Sequence, residues 1–456
     1  MTPQLCLAST LRRLEQRYAD CALMQRAGLA AAEFALNVRV DRAGQVLVLA
    51  GPGNNGGDAI EAARRLRERQ IEVCVVLAGN PGRLPPDAAA AYARFCAAGG
   101  ETLSAIPPQP RWCLIIDGLF GIGLSRAPDA SFVALIQSAN ALAQRDCCPL
   151  LALDCPSGLN ADTGSVPGAV ISATHTLTFI SGKPGLLTAE GPDHCGEIHL
   201  ATLDIAPETE TPADGSVITT ALFADRLTPR RRNSHKGSFG SVGMLGGSHS
   251  MVGAALLAGR AALKLGAGRV YLGLLDPDAP TVDPLQPELM LRPVDTLFQA
   301  DLQALVCGPG LGQTGEAIHS VNQALESPLP LVLDADALNL LAVDGHLAGN
   351  LLSRAAPAIL TPHPAEAARL LACSVSDIQQ DRILSAIELA RRFASPVALK
   401  GCGTVIATVD GRWWINTTGH PGMATAGMGD VLCGLTAGEV IDAARTVFNT
   451  WIHDHG

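Results

Sequence analysis

An apolar run at residues 46–50 stops abruptly at Gly51-Pro-Gly-Asn-Asn-Gly-Gly-Asp58. A helix-like run at residues 60–69 and a second apolar run at 73–78 follow. A strand, a glycine-rich turn and a helix in that order make an anion site, because backbone N–H groups at the helix start point at the ligand. The spacing G-x-G-x-x-G is met at Gly51, Gly53 and Gly56. That spacing alone is common. Asn54, Asn55 and Asp58 make this turn more specific, since a plain phosphate cradle does not require their polar groups.

The alternation of apolar and helix-like runs continues through most of the chain. Strands are predicted at 113–116, 150–153, 176–180 and 198–200 as well, which reads as a mostly parallel sheet with helices on both faces. Residues 206–215 are polar, proline-rich and unpatterned, and are expected to form a linker. Beyond them strands are predicted at 242–245, 270–275, 304–307, 331–333, 358–360, 397–399, 405–407 and 413–415. A chain of 456 residues exceeds what a single core usually spans, so two α/β domains are expected, at 1–212 and 213–456. The loops after equivalent strands differ, so the halves are not an internal repeat.

A net charge of −10 argues against non-specific nucleic-acid binding and against a basic membrane face. No apolar run reaches membrane-spanning length. Arg12 and Arg13 interrupt the N-terminal segment too early for a signal peptide. The thirteen cysteines include no C-x-x-C pair, which favours reduced thiols in a cytosolic protein over a zinc site.

In doubly wound sheets ligands bind at the carboxyl ends of strands. Three carboxylates fall there in the first half: Asp58, Asp117 and Asp154, expected to face one crevice. Each has a plainer role open to it. Asp58 could cap a helix starting at Ala59, and Asp154 could fix the Pro156-Ser157-Gly158 turn. Clustered carboxylates in a cleft serve either a cation or proton transfer. A nicotinamide dehydrogenase would want an acid at the end of the second strand, where Val75 to Asn80 has none.

Residues 23–28, Gly51 to Asp58, Asp117-Gly-Leu-Phe-Gly-Ile-Gly-Leu124, residues 154–164 and Lys183-Pro-Gly185 together resemble the NAD(P)HX epimerase domain, over about residues 10–205. The resemblance implies a Rossmann-like three-layer αβα domain. It implies potassium on Asn55, Asp117 and Ser157, and hydrated NADH or NADPH on Asn54, Asn55, Gly56, Gly57, Asp58, Gly121, Ile122, Gly123, Leu124, Ser125, Arg126, Ala127 and Asp154. Asp154 is the expected proton-transfer residue. Ala59 stands where the family usually has glycine, and a helical backbone would tolerate its methyl group.

The second half carries His235-Lys-Gly-Ser-Phe-Gly240, residues 246–255 with a helix at 254–264, Gly308-Pro-Gly-Leu-Gly312, Asp334-Ala-Asp-Ala-Leu-Asn339 and Thr361-Pro-His-Pro-Ala-Glu366. Lys400-Gly-Cys-Gly-Thr404 is expected in a turn between two strands. Gly422-Met-Ala-Thr-Ala-Gly-Met-Gly-Asp430 closes the set. A glycine-rich turn entering a helix cradles a phosphoryl group, and Asp430 at its end can take the proton of an attacking hydroxyl. His363 could be a satisfied loop histidine or line the cleft. Lys400 could be solvated or face a phosphate. The absence of a Walker-type loop argues against P-loop chemistry.

These motifs resemble the ADP-dependent NAD(P)HX dehydratases of the ribokinase-like fold, over about residues 225–440. By that resemblance Lys400, Gly401, Cys402, Gly403, Thr404 and Gly429 would contact the nucleotide, and Ala254, Gly310, His363 and Asp430 the substrate. The implied chemistry is epimerisation of hydrated NAD(P)H followed by ADP-dependent dehydration with Mg2+, in a cytoplasmic homo-oligomer. The alternatives are a sugar or vitamin kinase, or a nucleotide-binding protein with a degraded second site. The latter draws on Ala426 and Met428, which replace the family's usual glycine and threonine, and on residues 438–456, which read as shortened.

Overall fold

The computed structural model describes residues 4–39, 44–108, 111–124, 126–206, 212–224 and 229–437. The expectations for Ser125 and for residues 438–456 lie outside the described residues, as do residues 207–211 of the expected linker. The chain divides into two compact units, Met1–Val217 and Ile218–Gly456.

Among the described residues of the first unit run the strands β1 (Gln4–Leu5), β2 (Gln45–Ala50), β3 (Val73–Leu77), β4 (Thr102–Leu103), β5 (Trp112–Gly118), β6 (Leu150–Leu153), β7 (His175–Phe179), β8 (Glu197–Ala201) and β9 (Gly215–Val217). Strands β2 to β8 form a parallel sheet in the order β4-β3-β2-β5-β6-β7-β8. Strands β1 and β9 pair antiparallel. From β2 the chain builds outward through β3 and β4, then returns to start the other side at β5. That reversal opens a crevice at the carboxyl ends of β2 and β5.

The period-2 alternation of a strand explains the three layers. Val46, Val48 and Ala50 pack with Ala31, Ala35, Ile60 and Ala63, from the helices Leu23–Arg39 and Asn54–Glu68. Leu47 and Leu49 point the other way, into Ile136 and Ala139 of the helix Ala130–Asp146. Each fully buried leucine or valine contributes about 1.5–3 kcal/mol.

The second unit contains β10 (Ser241–Gly246), β11 (Arg269–Leu274), β12 (Met290–Pro293), β13 (Ala304–Cys307), β14 (Leu331–Leu333), β15 (Ala358–Leu360), β16 (Val397–Leu399), β17 (Thr404–Ala407) and β18 (Trp413–Asn416). They are ordered β18-β17-β16-β15-β14-β13-β10-β11-β12. The sheet is parallel from β12 to β16 and antiparallel from β16 to β18. Here the reversal lies between β10 and β13. One face packs on the helix Val252–Leu265 through Val242, Met244, Ala255, Ala258 and Ala262. Gly266, at φ +117°, ends that helix in the left-handed conformation that favours glycine.

The expected α/β class and the parallel sheets are found. The expectation missed four short strands, β1, β4, β9 and β12. Among the described residues no helix is long and apolar enough to cross a membrane.

Candidate active sites

The turn after β2 is tighter than its sequence suggests. Gly53 is the N-cap, and the helix Asn54–Glu68 begins within the Asn-Asn-Gly-Gly stretch. Asp58 therefore sits inside the helix, and its role as cap of a helix from Ala59 is corrected. Ala59 is wholly buried. A Cβ built on Gly118 would lie 2.5 Å from the Ala59 Cβ, so the methyl at 59 fits because residue 118 has none.

Asp117 lies within β5 and has no solvent exposure. It does not line the crevice with the other two acids, as expected, but sits beneath it. Its carboxylate accepts from Ser157 N at 2.8 Å, Ser157 Oγ at 2.7 Å and Leu119 N at 3.1 Å. Burial pushes this acid up to about 6, against the lowering effect of those hydrogen bonds. Ser157 Oγ in turn accepts from Phe120 N at 2.8 Å. Asn55 Nδ2 donates to the carbonyls of Phe120 (2.9 Å) and Leu153 (3.1 Å). Its Oδ1 is buried with no hydrogen-bond partner. The three residues expected to hold potassium thus share the Leu119–Phe120 turn.

Asp154 follows β6 with φ +66°. Its Oδ1 is 2.7 Å from the Lys183 ammonium, which is 1% exposed. Lys183 also donates to Thr178 Oγ1 at 2.7 Å and to Phe179 O at 3.0 Å. Asp154 Oδ2 accepts from Ile122 N at 3.3 Å and lies 2.9 Å from a Cβ built on Gly121. One oxygen is anchored and the other meets the 121–124 loop. Gly123, Arg126 and Ala127 are exposed farther along it. Asp58 and Glu15 join the group. Burial, then the neighbouring Asp154, holds the Glu15 proton above the usual range. Asp58 is raised much further, by burial first and then by Asp154, Glu15 and Asp87.

In the second unit, Asp334 follows β14 and caps the helix Ala335–Val343. Its Oδ1 is 2.6 Å from Lys400 Nζ, which lies 3.9 Å from Glu366 Oε2. His363 caps the helix Pro364–Leu371. Its Nδ1 accepts from Ala365 N and Glu366 N, and its Nε2 is 3.2 Å from Glu366 Oε1. Both ring nitrogens are engaged, and burial, then Lys400, lowers its proton affinity. Lys400–Thr404 joins β16 to β17, with Gly401 and Cys402 exposed. The buried Arg382 lies beneath, donating to the carbonyls of Leu399 (3.1 Å) and Lys400 (3.2 Å).

The cradle leads into helical residues 428–437. Its left-handed position is Gly427, at φ +88°, and not residue 426, so Ala426 needs no glycine conformation. Asp430 is partly buried, and burial followed by Asp334 and Asp336 raises its proton affinity while Lys400 opposes them. Asp336 accepts from Gly312 N at 2.8 Å, tying the Gly308–Gly312 turn to the acids. Within that turn a Cβ on Gly310 would lie 3.1 Å from the Ala254 Cβ.

Family models match both halves: residues 20–185 as the YjeF-related protein N-terminus and residues 242–445 as NAD(P)H-hydrate dehydratase. The bifunctional NAD(P)H-hydrate repair enzyme Nnr of Escherichia coli is 39% identical over 94% of this chain and 83% of its own length. The chain belongs to the bifunctional NAD(P)H-hydrate repair enzymes. The Coxiella burnetii member of that family is 38% identical over 94% of this chain and 87% of its own. A solved structure, the ADP/ATP-dependent NAD(P)H-hydrate dehydratase of Bacillus subtilis co-crystallised with ATP and Mg2+, is 34% identical over 47% of this chain and 77% of that one, with a TM-score of 0.41.

Sequence reading assigned no role to Lys183, Glu15, Asp334, Glu366 or Arg382. Lys183, Asp334 and Glu366 stood inside quoted motifs, and charged residues within otherwise apolar or small-residue segments were the available signal. Glu15 and Arg382 sit on ordinary amphipathic helices and gave none.

Proposed function

We propose that the chain restores NADH and NADPH from their hydrates in two reactions, one for each unit. The first unit interconverts the R and S epimers at the hydroxyl-bearing ring carbon, with Asp154 as the proton-transfer group. The second transfers the terminal phosphoryl group of ADP to the hydroxyl of the S epimer. Asp430 takes the hydroxyl proton and AMP leaves. The C–O bond then breaks with its electron pair going to phosphate, pushed by the ring nitrogen. Loss of a proton from the adjacent carbon restores the double bond. Such phosphoryl transfer depends on positioning and electrostatics more than on covalent help.

The observation carrying this reading is the pair of ligand edges, each with a base-capable carboxylate, in a chain aligned with a bifunctional relative over 94% of its length. In the first unit, residues 54–58, the 121–127 loop and Asp154 would hold the hydrate. In the second, Ala254, Gly310, His363 and Asp430 would hold it, with Lys400–Thr404 and Gly429 at the nucleotide. A raised carboxyl at Asp430 supports a base poised nearer neutral pH.

Asn55, Asp117 and Ser157 fit potassium: an orphaned buried amide oxygen, a buried carboxylate and a hydroxyl are the hard oxygen donors such a cation takes. Bound there, it would supply a fixed positive charge beside the 119–122 turn. Among the described residues no group of three or more His, Cys, Asp or Glu side chains could hold a metal. Magnesium would therefore be carried mainly by nucleotide phosphates, as is usual for this ion. The same reading includes a cytoplasmic site of action and a homo-oligomer, which fractionation and light scattering check.

The test is ultraviolet absorbance of hydrated NADH mixed with protein and ADP. Recovery of the reduced-nicotinamide band is expected. A stable phosphorylated product without recovery would instead mark a small-molecule kinase. Asp430→Asn should abolish dehydration and spare epimer exchange, and Asp154→Asn the reverse. Joint loss in either variant contradicts one reaction per unit.

A further inference from the structure

The Lys400 ammonium is more constrained than a nucleotide-following lysine. Lys400 N donates to Pro362 O at 2.9 Å, and its carbonyl is held by Arg382, which is 1% exposed. The side chain ends on Asp334 at 2.6 Å, with Glu366 behind at 3.9 Å, and both acids are buried. Glu366 is fixed in turn by His363, whose N–H donates to Oε2 at 2.8 Å. A Cβ built on Gly429 would lie 3.6 Å from Nζ. The ammonium therefore rests against the cradle, one residue before Asp430.

A phosphoryl group entering this place meets the carboxylates of Asp334, Asp336 and Asp430. Among the charged groups of the described residues that act on Asp430, Lys400 alone is positive. We propose that Asp334 and Glu366 are positioning residues that aim the Lys400 ammonium at the Gly429–Asp430 turn, where it offsets negative charge on the transferred phosphoryl group. This rests on the reading of Asp430 as the base of the second unit. Lys400 then serves the reacting group and not the affinity for ADP.

Three variants test this: Lys400→Met, Asp334→Asn and the two combined, each assayed for dehydration, with epimer exchange as the control for an intact chain. Lys400→Met should lower kcat by roughly 100-fold, the scale of one lost preorganised donor, with the KM for ADP changed by less than about two-fold. Asp334→Asn should lower kcat in the same direction. The double variant should be no worse than Lys400→Met, because one acts through the other. The acid limb of the pH profile should move to higher pH in Lys400→Met, since Asp430 loses the ammonium that favours its ionised form. Among the described residues the groups facing Asp430 are Asp334, Asp336 and Lys400, with Glu366 and His363 behind the lysine. A raised ADP KM with kcat retained would overturn the proposal, as would multiplicative losses or an unmoved acid limb. Lys400→Met alone leaves a buried unpaired acid and could fail to fold. The double variant removes both charges, and a kcat within about three-fold of the parent in it sinks the idea. Asp430→Asn run in parallel separates this outcome from failure of the base assignment itself, which retained dehydration would reveal.

Discussion

Replacing Lys183 with methionine probes how the first site is built. The change keeps most of the side-chain volume and removes one charge and its three donors. In the parent, the ammonium is 1% exposed and sits 2.7 Å from Asp154, which is 13% exposed. Thr178 Oγ1 and Phe179 O also lose a donor. Removing one partner of a buried ion pair costs roughly 3–5 kcal/mol. Some water reaches Asp154, so the low end, about 3 kcal/mol, is expected. That is roughly a hundred-fold in the folded-to-unfolded ratio. Hydrogen exchange of the amides of β5 measures it, because all seven residues of that strand are buried and their exchange requires opening of the unit. Adding Asp154→Asn should recover much of the loss, since no uncompensated charge then remains. A single variant within about 0.5 kcal/mol of the parent refutes the reasoning, because surface-like substitutions behave that way. So does a double variant no better than the single.

Gly118→Ala would set its methyl 2.5 Å from the Ala59 Cβ and 2.9 Å from Asn55 O. A loss of about 1–3 kcal/mol in urea unfolding is expected, partly restored by Ala59→Gly, and a neutral result would contradict the close helix–strand approach. Potassium chloride should raise the unfolding temperature of the parent above that in tetramethylammonium chloride of equal ionic strength. The gain is about 2.7 kcal/mol at a hundred times Kd and is absent in Asn55→Leu; equal behaviour of the two salts in the parent removes the cation site. The acid limb of dehydration should lie above the ordinary aspartate value of 3.8, because burial, Asp334 and Asp336 favour the protonated Asp430, which must ionise to accept a proton. Asp336→Asn should bring that limb down, and a limb at the ordinary value in the parent would rule out Asp430 as the base in this pocket.

The sheets were legible because their strands are unbroken apolar runs. Residues 150–153, 304–307, 331–333, 358–360 and 397–399 were expected as strands and are strands over those same residues. Thr102–Leu103 and Met290–Pro293 lie at sheet edges and are only partly buried, so they lack the unbroken apolar run that marks the interior strands. The early helix start at Asn54 escaped for another reason. Asn-Asn-Gly-Gly favours a loop by propensity, but a Cβ on Gly56 would lie 2.0 Å from Gly51 O and one on Gly57 2.6 Å from Met24. Those glycines serve close packing, which one-dimensional reading cannot see. Asp154 and Asp430 stand out in the sequence because each lies beside a turn rich in glycine, the first after a strand and the second entering a helix. The partners that set their chemistry do not, since Lys183 reaches Asp154 from 29 residues away and Lys400 reaches Asp334 from 66.

The backbone at Asp154, with φ at +66°, also bears on how this half of the chain could age. Only glycine, asparagine and aspartate settle there without strain of roughly 1–2 kcal/mol. Every replacement that this backbone accepts thus discards the charge and strands the buried Lys183 ammonium, at roughly 3–5 kcal/mol. Descendants that lose the first reaction should therefore change residue 154 to asparagine or glycine together with Lys183, and a genome survey could recognise them by that paired change.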